Sequence, residues 1–267
     1  MRLDGVIVRN LVFLFLLVLV GCGPSILREG GTTIPDWVAK KFYVSDRSVS
    51  APEFTANQEI VFSLKQNACT GTSDRTGPSD CATRTSRSVL KTGRDWQLEN
   101  MNLVTFEVFV DPTFANSNSG SQFVIARFQA KDVTRYPLFD FKLDRRRGIT
   151  FQGKTCAGPN TFGTWQRVFV RVRWDNSDQG FLEVRCGLEN VHEAPVVFAQ
   201  SGFATNRSLV LPKRNADPKE LSFQLGLIAE GRNGAFQRLP NGKMEIKFRR
   251  LAERRLYVLF NLEDTVE

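Results

Sequence analysis

The stretch WQRVFVRVRWDNSDQGFLEVRCG, residues 165–187, decides the fold class of this chain. Residues 166–174 alternate apolar and polar side chains, and residues 181–184 do the same. A period of two is typical of β-strands that have one buried and one wet face. The segment between them, residues 176–180, is polar and ends in glycine, which favours a turn. The stretch therefore predicts a strand, a turn and a second strand.

The same alternation recurs along most of the chain. Turn-forming pairs such as Asp111-Pro112 and Asn241-Gly242 separate the strands. Many short strands with few helices are typical of a β-sandwich or jelly roll, so we expect an all-β protein. The polar, proline-containing residues 201–219 predict a long excursion between strands. Further strands are predicted at residues 59–64, 103–110, 122–128, 138–143, 221–228 and 243–248.

The N-terminus has the build of a secretory signal. A short segment with two arginines precedes an unbroken apolar run, LVFLFLLVLV at residues 11–20. The run is too short to span a bilayer, which takes about 20 apolar residues. The string LVGC at residues 19–22 resembles a bacterial lipobox, and this resemblance implies lipidation of Cys22 and cleavage after Gly21. An ordinary signal peptide with an incidental cysteine is the alternative.

The residue after Cys22 bears on where the protein is sorted. This residue is Gly23 rather than an aspartate, a pattern that resembles outer-membrane sorting in enteric bacteria. We therefore expect an outer-membrane lipoprotein of the cell envelope, facing the periplasm or the cell surface and held on the membrane through Cys22. The chain is thereby divided into four segments. They are a signal peptide (residues 1–21), a lipidated tether with one short helix (22–50), a β-jelly-roll domain (51–260) and a C-terminal tail (261–267).

Four cysteines remain after Cys22, and an even number in an exported chain suggests disulfides. Three pairings are possible. We favour Cys69–Cys81 and Cys156–Cys186, because the first bond would close a loop rich in Gly, Ser, Thr and Asp with little apolar surface to hold it. No metal site and no cofactor are expected, since the chain has no CxxC pair and only one histidine.

The formal net charge of +8 favours anionic partners, such as acidic glycans or phospholipid head groups. Export argues against nucleic acid as the partner. A basic surface that serves only solubility is the alternative.

Several segments together resemble concanavalin-like jelly-roll polysaccharide lyases of the alginate and glucuronan lyase type. Residues 165–187 are similar to a strand-turn-strand of that family, and RSVLK at residues 87–91 resembles its arginine-rich strand. IARFQ at residues 125–129 and FQLGLI at residues 223–228 follow in the family's order. The resemblance covers roughly residues 55–250. It implies a concanavalin- or lectin-like β-jelly roll of two antiparallel sheets, with a groove for a sugar chain on the concave sheet.

These lyases cut uronate-containing polymers by β-elimination. The reaction needs a cation or amide that neutralises the uronate carboxylate, a base for the C5 proton and an acid for the leaving oxygen. Strand periodicity places matching side chains on one face of the groove. The substrate-binding residues that the resemblance implies are Arg87, Lys91, Arg127, Gln129 and Gln224.

The family's base and acid are missing by residue type. Gln129 stands at the position of the family histidine and Ile228 at that of the tyrosine. Tyr136, in a loop before Pro137, is a candidate replacement as acid or base. His192 lies in a loop and is interpreted as a surface histidine. The remaining aromatic candidates for sugar stacking, Trp165 and Trp174, are expected to pack in the core.

The leading hypothesis is a lipid-anchored protein that binds an anionic, uronate-containing polysaccharide in the groove with weak or lost lyase activity. One alternative is an active polysaccharide lyase with a relocated acid or base such as Tyr136. The other is a structural or interaction lipoprotein that has no free-glycan ligand.

Overall fold

The computed structural model describes residues 34–71, 79–92, 96, 100–117, 122–130, 138–187, 193–205 and 221–256. The predicted signal peptide with Cys22, the loop with Tyr136, His192 and the C-terminal tail lie outside the described residues. Within the described part, no helix is long and apolar enough to cross a membrane.

Strands dominate the described residues, with two short α-helices and three 3-10 helices at Pro112–Asn116, Pro159–Thr161 and Pro240–Gly242. The helices and strands are α1 (Asp36–Ala39), β1 (Phe42–Val44), β2 (Glu53–Phe54), β3 (Ile60–Lys65), α2 (Asp80–Thr83), β4 (Ser86–Thr92), β5 (Met101–Phe109), β6 (Gln122–Ala130), β7 (Phe139–Asp144), β8 (Gly148–Phe151), β9 (Lys154–Ala157), β10 (Gln166–Arg173), β11 (Gly180–Gly187), β12 (Val196–Phe203), β13 (Leu221–Ala229) and β14 (Lys243–Leu256).

The strands form two antiparallel sheets of seven strands each. We call β1-β4-β13-β6-β7-β8-β9 the site sheet and β12-β11-β10-β5-β14-β3-β2 the back sheet. The outward surface of each is its site face or its back face. The stretch that opens with Trp165 forms β10 and β11, which pair through the whole predicted strand-turn-strand. The predicted all-β fold of two antiparallel sheets is confirmed.

An aromatic layer joins the inner faces of the two sheets. Phe106 of the back sheet lies 5.9 Å from Phe141 and 6.4 Å from Phe223 of the site sheet, measured between ring centroids. Trp174, which follows β10, lies 6.0 Å from Phe128 and is fully buried. Burying one such side chain stabilises the fold by about 1.5–3 kcal/mol. The layer is therefore a main source of cohesion between the sheets.

Trp165 does not share this core, so the prediction of core packing is right for Trp174 and wrong for Trp165. Trp165 is only partly buried and lies on the back face, beside Phe109. The two tryptophans flank β10 and are nine residues apart. Because successive residues of an extended chain point to opposite faces, an odd separation places the two rings on opposite sides of the sheet.

The folded domain begins earlier than residue 51. Ile34, Val38 and Phe42 are 3%, 1% and 4% exposed and belong to the core. Strand β1 pairs with β4 at the edge of the site sheet. The described part of the predicted tether, residues 34–50, is therefore part of the sandwich.

Five short or edge strands, β1, β2, β8, β9 and β12, were not predicted from the sequence. All four residues of β8 are buried, so no polar face marks it. Strand β12 extends into the expected excursion at residues 201–219 and ends at Phe203. Residues 206–220 lie outside the described residues.

Both favoured disulfides are confirmed. Cys69–Cys81 joins the segment after β3 to helix α2. Cys156–Cys186 joins β9 of the site sheet to β11 of the back sheet. The second bond thus links the two sheets where their edges meet.

Candidate functional site

The site face carries all five of the predicted substrate-binding residues. On β4, Leu90 belongs to the core between the sheets, so Arg87, Val89 and Lys91 point the other way. On β6, Phe128 is in the core and its neighbours Arg127 and Gln129 point outward. The resemblance therefore placed these side chains on one common face.

Five neighbouring strands present one polar side chain each in a continuous cross-strand row. Directly opposed residues of antiparallel strands share a face and lie close together. The row consists of Tyr43, Lys91, Gln224, Arg127 and Asp140 on β1, β4, β13, β6 and β7. Gln129 lies two residues from Arg127 on β6, and its Oε1 accepts a hydrogen bond of 3.0 Å from Gln224 Nε2.

Arg127 is held by two carboxylates of the protein itself. Its Nε and Nη2 donate to the two oxygens of Asp140, each at 2.9 Å, and Nη2 also donates to Glu230 Oε1 at 2.6 Å. Arg127 is 9% exposed. Burial lowers the pKa of Arg127, but Asp140 and Glu230 raise it more, so the pKa lies above its ordinary value. The guanidinium is fully charged and already paired.

The pairing with Arg127 also shifts the pKa of Glu230. Burial raises this pKa, but the charge of Arg127 and the hydrogen bond from it lower the pKa by more, so that it lies below its ordinary value. Glu230 follows β13 directly, so the end of this strand places its carboxylate beside the guanidinium of β6.

Arg87 is also occupied from within the protein. Its Nε and Nη2 donate to the two oxygens of Asp80 at 2.5 and 2.7 Å, and Arg47 Nη1 lies 3.6 Å from Asp80 Oδ1. Asp80 is 0% exposed. Burial lowers the pKa of Arg87 more than Asp80 raises it. The predicted uronate ligand Arg87 is thus a partner of helix α2.

Helix α2 is positioned by its own cap and by a disulfide. Ser79 Oγ accepts a hydrogen bond from the Ala82 backbone N–H, which satisfies one of the unpaired donors at the helix start. Cys81, inside the helix, is bonded to Cys69. These two contacts hold the Asp80 carboxylate against Arg87.

The end of the site face beside Arg87 is covered. Val89, Val124 and Ile228 form a small apolar cluster separate from the main core and are only 1%, 3% and 2% exposed. Ile228 is opposite Arg87 on one side and Val124 on the other. The position that the sequence resemblance matched to the family's tyrosine is therefore both apolar and covered.

The other part of the site face keeps unused hydrogen-bonding groups. Among the described residues, neither Lys91 nor Lys142 forms an ion pair, and Gln224 Oε1 is buried without a hydrogen-bond partner. Gln129 is half-buried. Ammonium and amide groups of this kind can bind carboxylate and hydroxyl groups, whereas neither removes a carbon-bound proton at neutral pH.

The sequence reasoning missed four members of the site. Tyr43 was assigned to the tether, although β1 brings it opposite Lys91. Asp80, Asp140 and Glu230 were not recognised, because they lie in other elements than the arginines that they neutralise. Alternation along β7 could have placed Asp140 on the outward face. No sequence signal marks Asp80 or Glu230.

No protein-family model matches the sequence, and neither does any curated protein. Solved structures do match the fold. An endo-β-1,4-glucuronan lyase from the fungus Trichoderma reesei aligns with a TM-score of 0.51 and 14% identity over 79% of this chain and 86% of that chain. An alginate lyase from Klebsiella pneumoniae aligns with a TM-score of 0.44 and 11% identity, over 79% of this chain and 86% of that chain. The match to the glucuronan lyase shows the polysaccharide-lyase-like jelly-roll fold.

Proposed function

We propose that this protein binds an acidic, uronate-containing polysaccharide on the site face without cleaving it. The observation that carries the proposal is the state of the two catalytic positions. Gln129 replaces the proton acceptor, and Ile228, at the position of the proton donor, is 2% exposed. The glucuronan lyase of similar fold acts on a uronate polymer, and we carry that substrate class over to this chain as part of the proposal.

Lys91, Gln129 and Gln224 are the proposed contact residues, with Tyr43 beside them as a surface for a sugar ring. The ammonium of Lys91 supplies a charge for a uronate carboxylate, and the amides supply donors and acceptors for hydroxyl groups. Arg127 does not contact the ligand in this proposal; it stabilises the middle of the row through its hydrogen bonds to Asp140. Arg87 has the same supporting role at the covered end.

Titration calorimetry with glucuronan, alginate and an uncharged β-glucan tests this assignment. We expect binding to at least one polyuronate and none to the neutral chain. The double variant Lys91→Ala/Gln129→Ala is expected to weaken binding about tenfold or more, because it removes one charged and one neutral hydrogen-bonding group. Lys154→Ala, on the exposed strand β9, makes the same change of charge away from the row and is the control. Unchanged affinity in the double variant would refute the assignment.

The absence of cleavage is tested separately. An active lyase releases unsaturated uronates, which absorb in the ultraviolet. We expect a flat absorbance trace with both polyuronates at high protein concentration. A rising trace that Tyr136→Phe abolishes would instead support the alternative of a relocated catalytic residue.

Membrane attachment through Cys22 is also part of the proposal. Two or more acyl chains hold a protein on a bilayer, whereas one binds only marginally. The full precursor expressed in a Gram-negative host is expected to fractionate with the outer membrane and to take up labelled palmitate. Cys22→Ser is expected to abolish both. A labelled Cys22→Ser protein would contradict the assigned lipidation site.

A structural or interaction lipoprotein is the second candidate function. The observation that favours it is the covered end of the site face, where the protein's own carboxylate of Asp80 occupies Arg87. Failure of every tested glycan to bind, together with capture of a defined envelope protein that the double variant no longer captures, would favour this candidate.

A further inference from the structure

The back face contains a charge cluster in which one glutamate serves three arginines. Glu107 Oε1 accepts hydrogen bonds from Arg167 Nη2 at 2.8 Å and from Arg250 Nη1 at 2.9 Å, and Oε2 accepts one from Arg249 Nε at 2.6 Å. The glutamate side chain is 5% exposed, whereas that of Arg250 is 65% exposed. The arginines come from β10 and β14, which flank β5 on either side.

This cluster has more positive than negative charge. Burial raises the pKa of Glu107, but the hydrogen bonds from Arg249 and Arg167 lower it by more. The pKa therefore lies below its ordinary value, and the carboxylate is ionised. One carboxylate then faces three guanidiniums, which are always protonated in proteins. Among these four groups the positive charges outnumber the negative one, and Arg250 is the most exposed of the three arginines.

Arg250 reaches the cluster from a strained backbone. Its φ of 53° lies in the left-handed region, where a side chain other than glycine is unfavourable. It sits in the irregularity of β14 between Arg249 and Ala252, where the register against β5 shifts. Strain of this kind persists where the surroundings enforce it and is concentrated at functional sites. The strained residue adds the most exposed guanidinium to an already neutralised glutamate.

Aromatic rings orient the neighbouring cations. The guanidinium carbon of Arg249 lies 4.2 Å from the centre of the Trp165 ring, and Lys247 Nζ lies 5.9 Å from that of Phe109. The two rings are 5.5 Å apart. A stacked arginine keeps its outward N–H groups in a fixed plane, which suits paired hydrogen bonds to an oxyanion.

Beyond the cluster, charges of both signs are present. Arg171 lies on the same face of β10 as Arg167, and its 46% exposed side chain pairs with Glu183 at 3.0 Å.

In the other direction, Phe109 and Lys247 line an open cleft of about 320 Å³ together with Asp111 and Glu245. Lys243, which also lines the cleft, pairs with Glu245 at 2.9 Å. A contact with an outside anion is therefore expected at the cluster around Glu107 itself.

We propose that the back face is a second binding site, for a polysaccharide that carries sulfate or carboxylate groups, with Arg250 as its principal contact. The geometry favours a glycan over a bilayer, because Trp165 and Phe109 are half-buried between cations and present no apolar tip for insertion. The site uses none of the residues of the site face, so it stands independently of the function proposed above.

Arg250→Gly gives a sharp test with heparin as the polyanionic probe. Glycine removes the guanidinium and also relieves the left-handed backbone, so the thermal unfolding midpoint is expected to be unchanged or raised. Heparin affinity measured by calorimetry is expected to fall about tenfold, the effect of one lost charged hydrogen-bonding group. A structural role for Arg250 would give the opposite pattern, with a lower midpoint and unchanged affinity.

Arg84→Gly is the matched control. Arg84 is likewise an exposed arginine at positive φ, 56°, but it caps helix α2 on the opposite side of the sandwich. Heparin affinity is expected to survive Arg84→Gly. Because heparin contains uronates, the effect of Arg250→Gly is also measured in the Lys91→Ala/Gln129→Ala background, so failure here and failure of the site-face proposal remain distinguishable. The proposal would be overturned if heparin did not bind, or if Arg250→Gly and Arg84→Gly lost affinity equally. It would also be overturned if Arg250 were needed only for binding to vesicles of anionic phospholipid.

Discussion

Arg127 on the site face hydrogen-bonds two carboxylates, whereas Glu107 on the back face accepts hydrogen bonds from three arginines. Both groups sit on central strands of a seven-stranded sheet, and both are nearly buried. Among the groups that are hydrogen-bonded to one another, carboxylates outnumber guanidiniums around Arg127, and guanidiniums outnumber carboxylates around Glu107. The arginines that the family resemblance selected for ligand binding are therefore the ones least available for it.

This difference shows how an arginine's role depends on the number of carboxylates around it. A buried arginine with two carboxylate partners is a structural element, because removing it leaves uncompensated buried charge. An arginine that shares one carboxylate with two others keeps attraction for an external anion. Separate variants on the two faces can establish whether this division holds.

The largest effect is expected from Arg127→Ala. Removal of one partner from a buried ion pair costs about 3–5 kcal/mol, because Asp140, only 8% exposed, loses the guanidinium that pairs with it. Urea unfolding at neutral pH measures the loss. The double variant Arg127→Ala/Asp140→Ala is expected to recover part of it. A loss below about 1 kcal/mol would contradict a structural role for this arginine.

Ile228→Tyr places a tyrosine where the resemblance to the lyases predicts one, at a position that is covered in the structure. The larger side chain must enter a cluster that is already closed, at a cost of about 1–3 kcal/mol. Lyase activity is not expected to appear. Leu103→Tyr, on the half-buried back face, is the matched change and is expected to affect the free energy of unfolding little. Product formation by the Ile228→Tyr protein would show that this position is accessible after all.

Glu107→Gln probes the back face through pH. The pKa of Glu107 is below its ordinary value of 4.5, so the carboxylate stabilises the fold above that pH and the contribution is lost on acidification through the lowered pKa. We expect the variant to lose about 1.5 kcal/mol at neutral pH, from weakened charged hydrogen bonds. The difference from the parent protein should shrink as the pH falls below 4.5. A difference that is constant over pH 3–7 would contradict this account.

The smallest effect on stability is expected from Lys91→Ala. Lys91 is two strands away from Arg127 in the same row, yet it forms no ion pair among the described residues. Its removal should change the free energy of unfolding by less than about 0.5 kcal/mol, as for most surface substitutions. A loss as large as that of Arg127→Ala would show that Lys91 too belongs to an internal network.

The fold could be predicted because alternation along each strand is a local signal. Residues 166–174 and 181–184 became β10 and β11, and the predicted two-sheet architecture follows from many such strands. The same rule, applied strictly, would have placed Trp165 outside the core. Strand β8 escaped because a strand buried on both faces has no alternation to detect.

The site could be predicted only in part. Periodicity determines which side chains of one strand share a face, and it correctly grouped Arg127 with Gln129 and Arg87 with Lys91. It cannot determine what lies opposite, because pairing joins β1 to β4 and β4 to β13 across long stretches of chain. Tyr43 entered the row in this way.

The sequence by itself determined the alternation of most strands and favoured the cysteine pairing that the structure confirms. Through the family resemblance it also predicted that the lyases' histidine and tyrosine are missing at the matched positions. Only the tertiary structure decided which charges neutralise one another. Asp80 and Glu230 reach their arginines from a helix and from the end of a distant strand, at 2.5 and 2.6 Å. Ion pairing depends on separations of a few ångströms between side chains. These separations arise only when the strands pair and the sheet forms, so the order of residues along the chain does not reveal them.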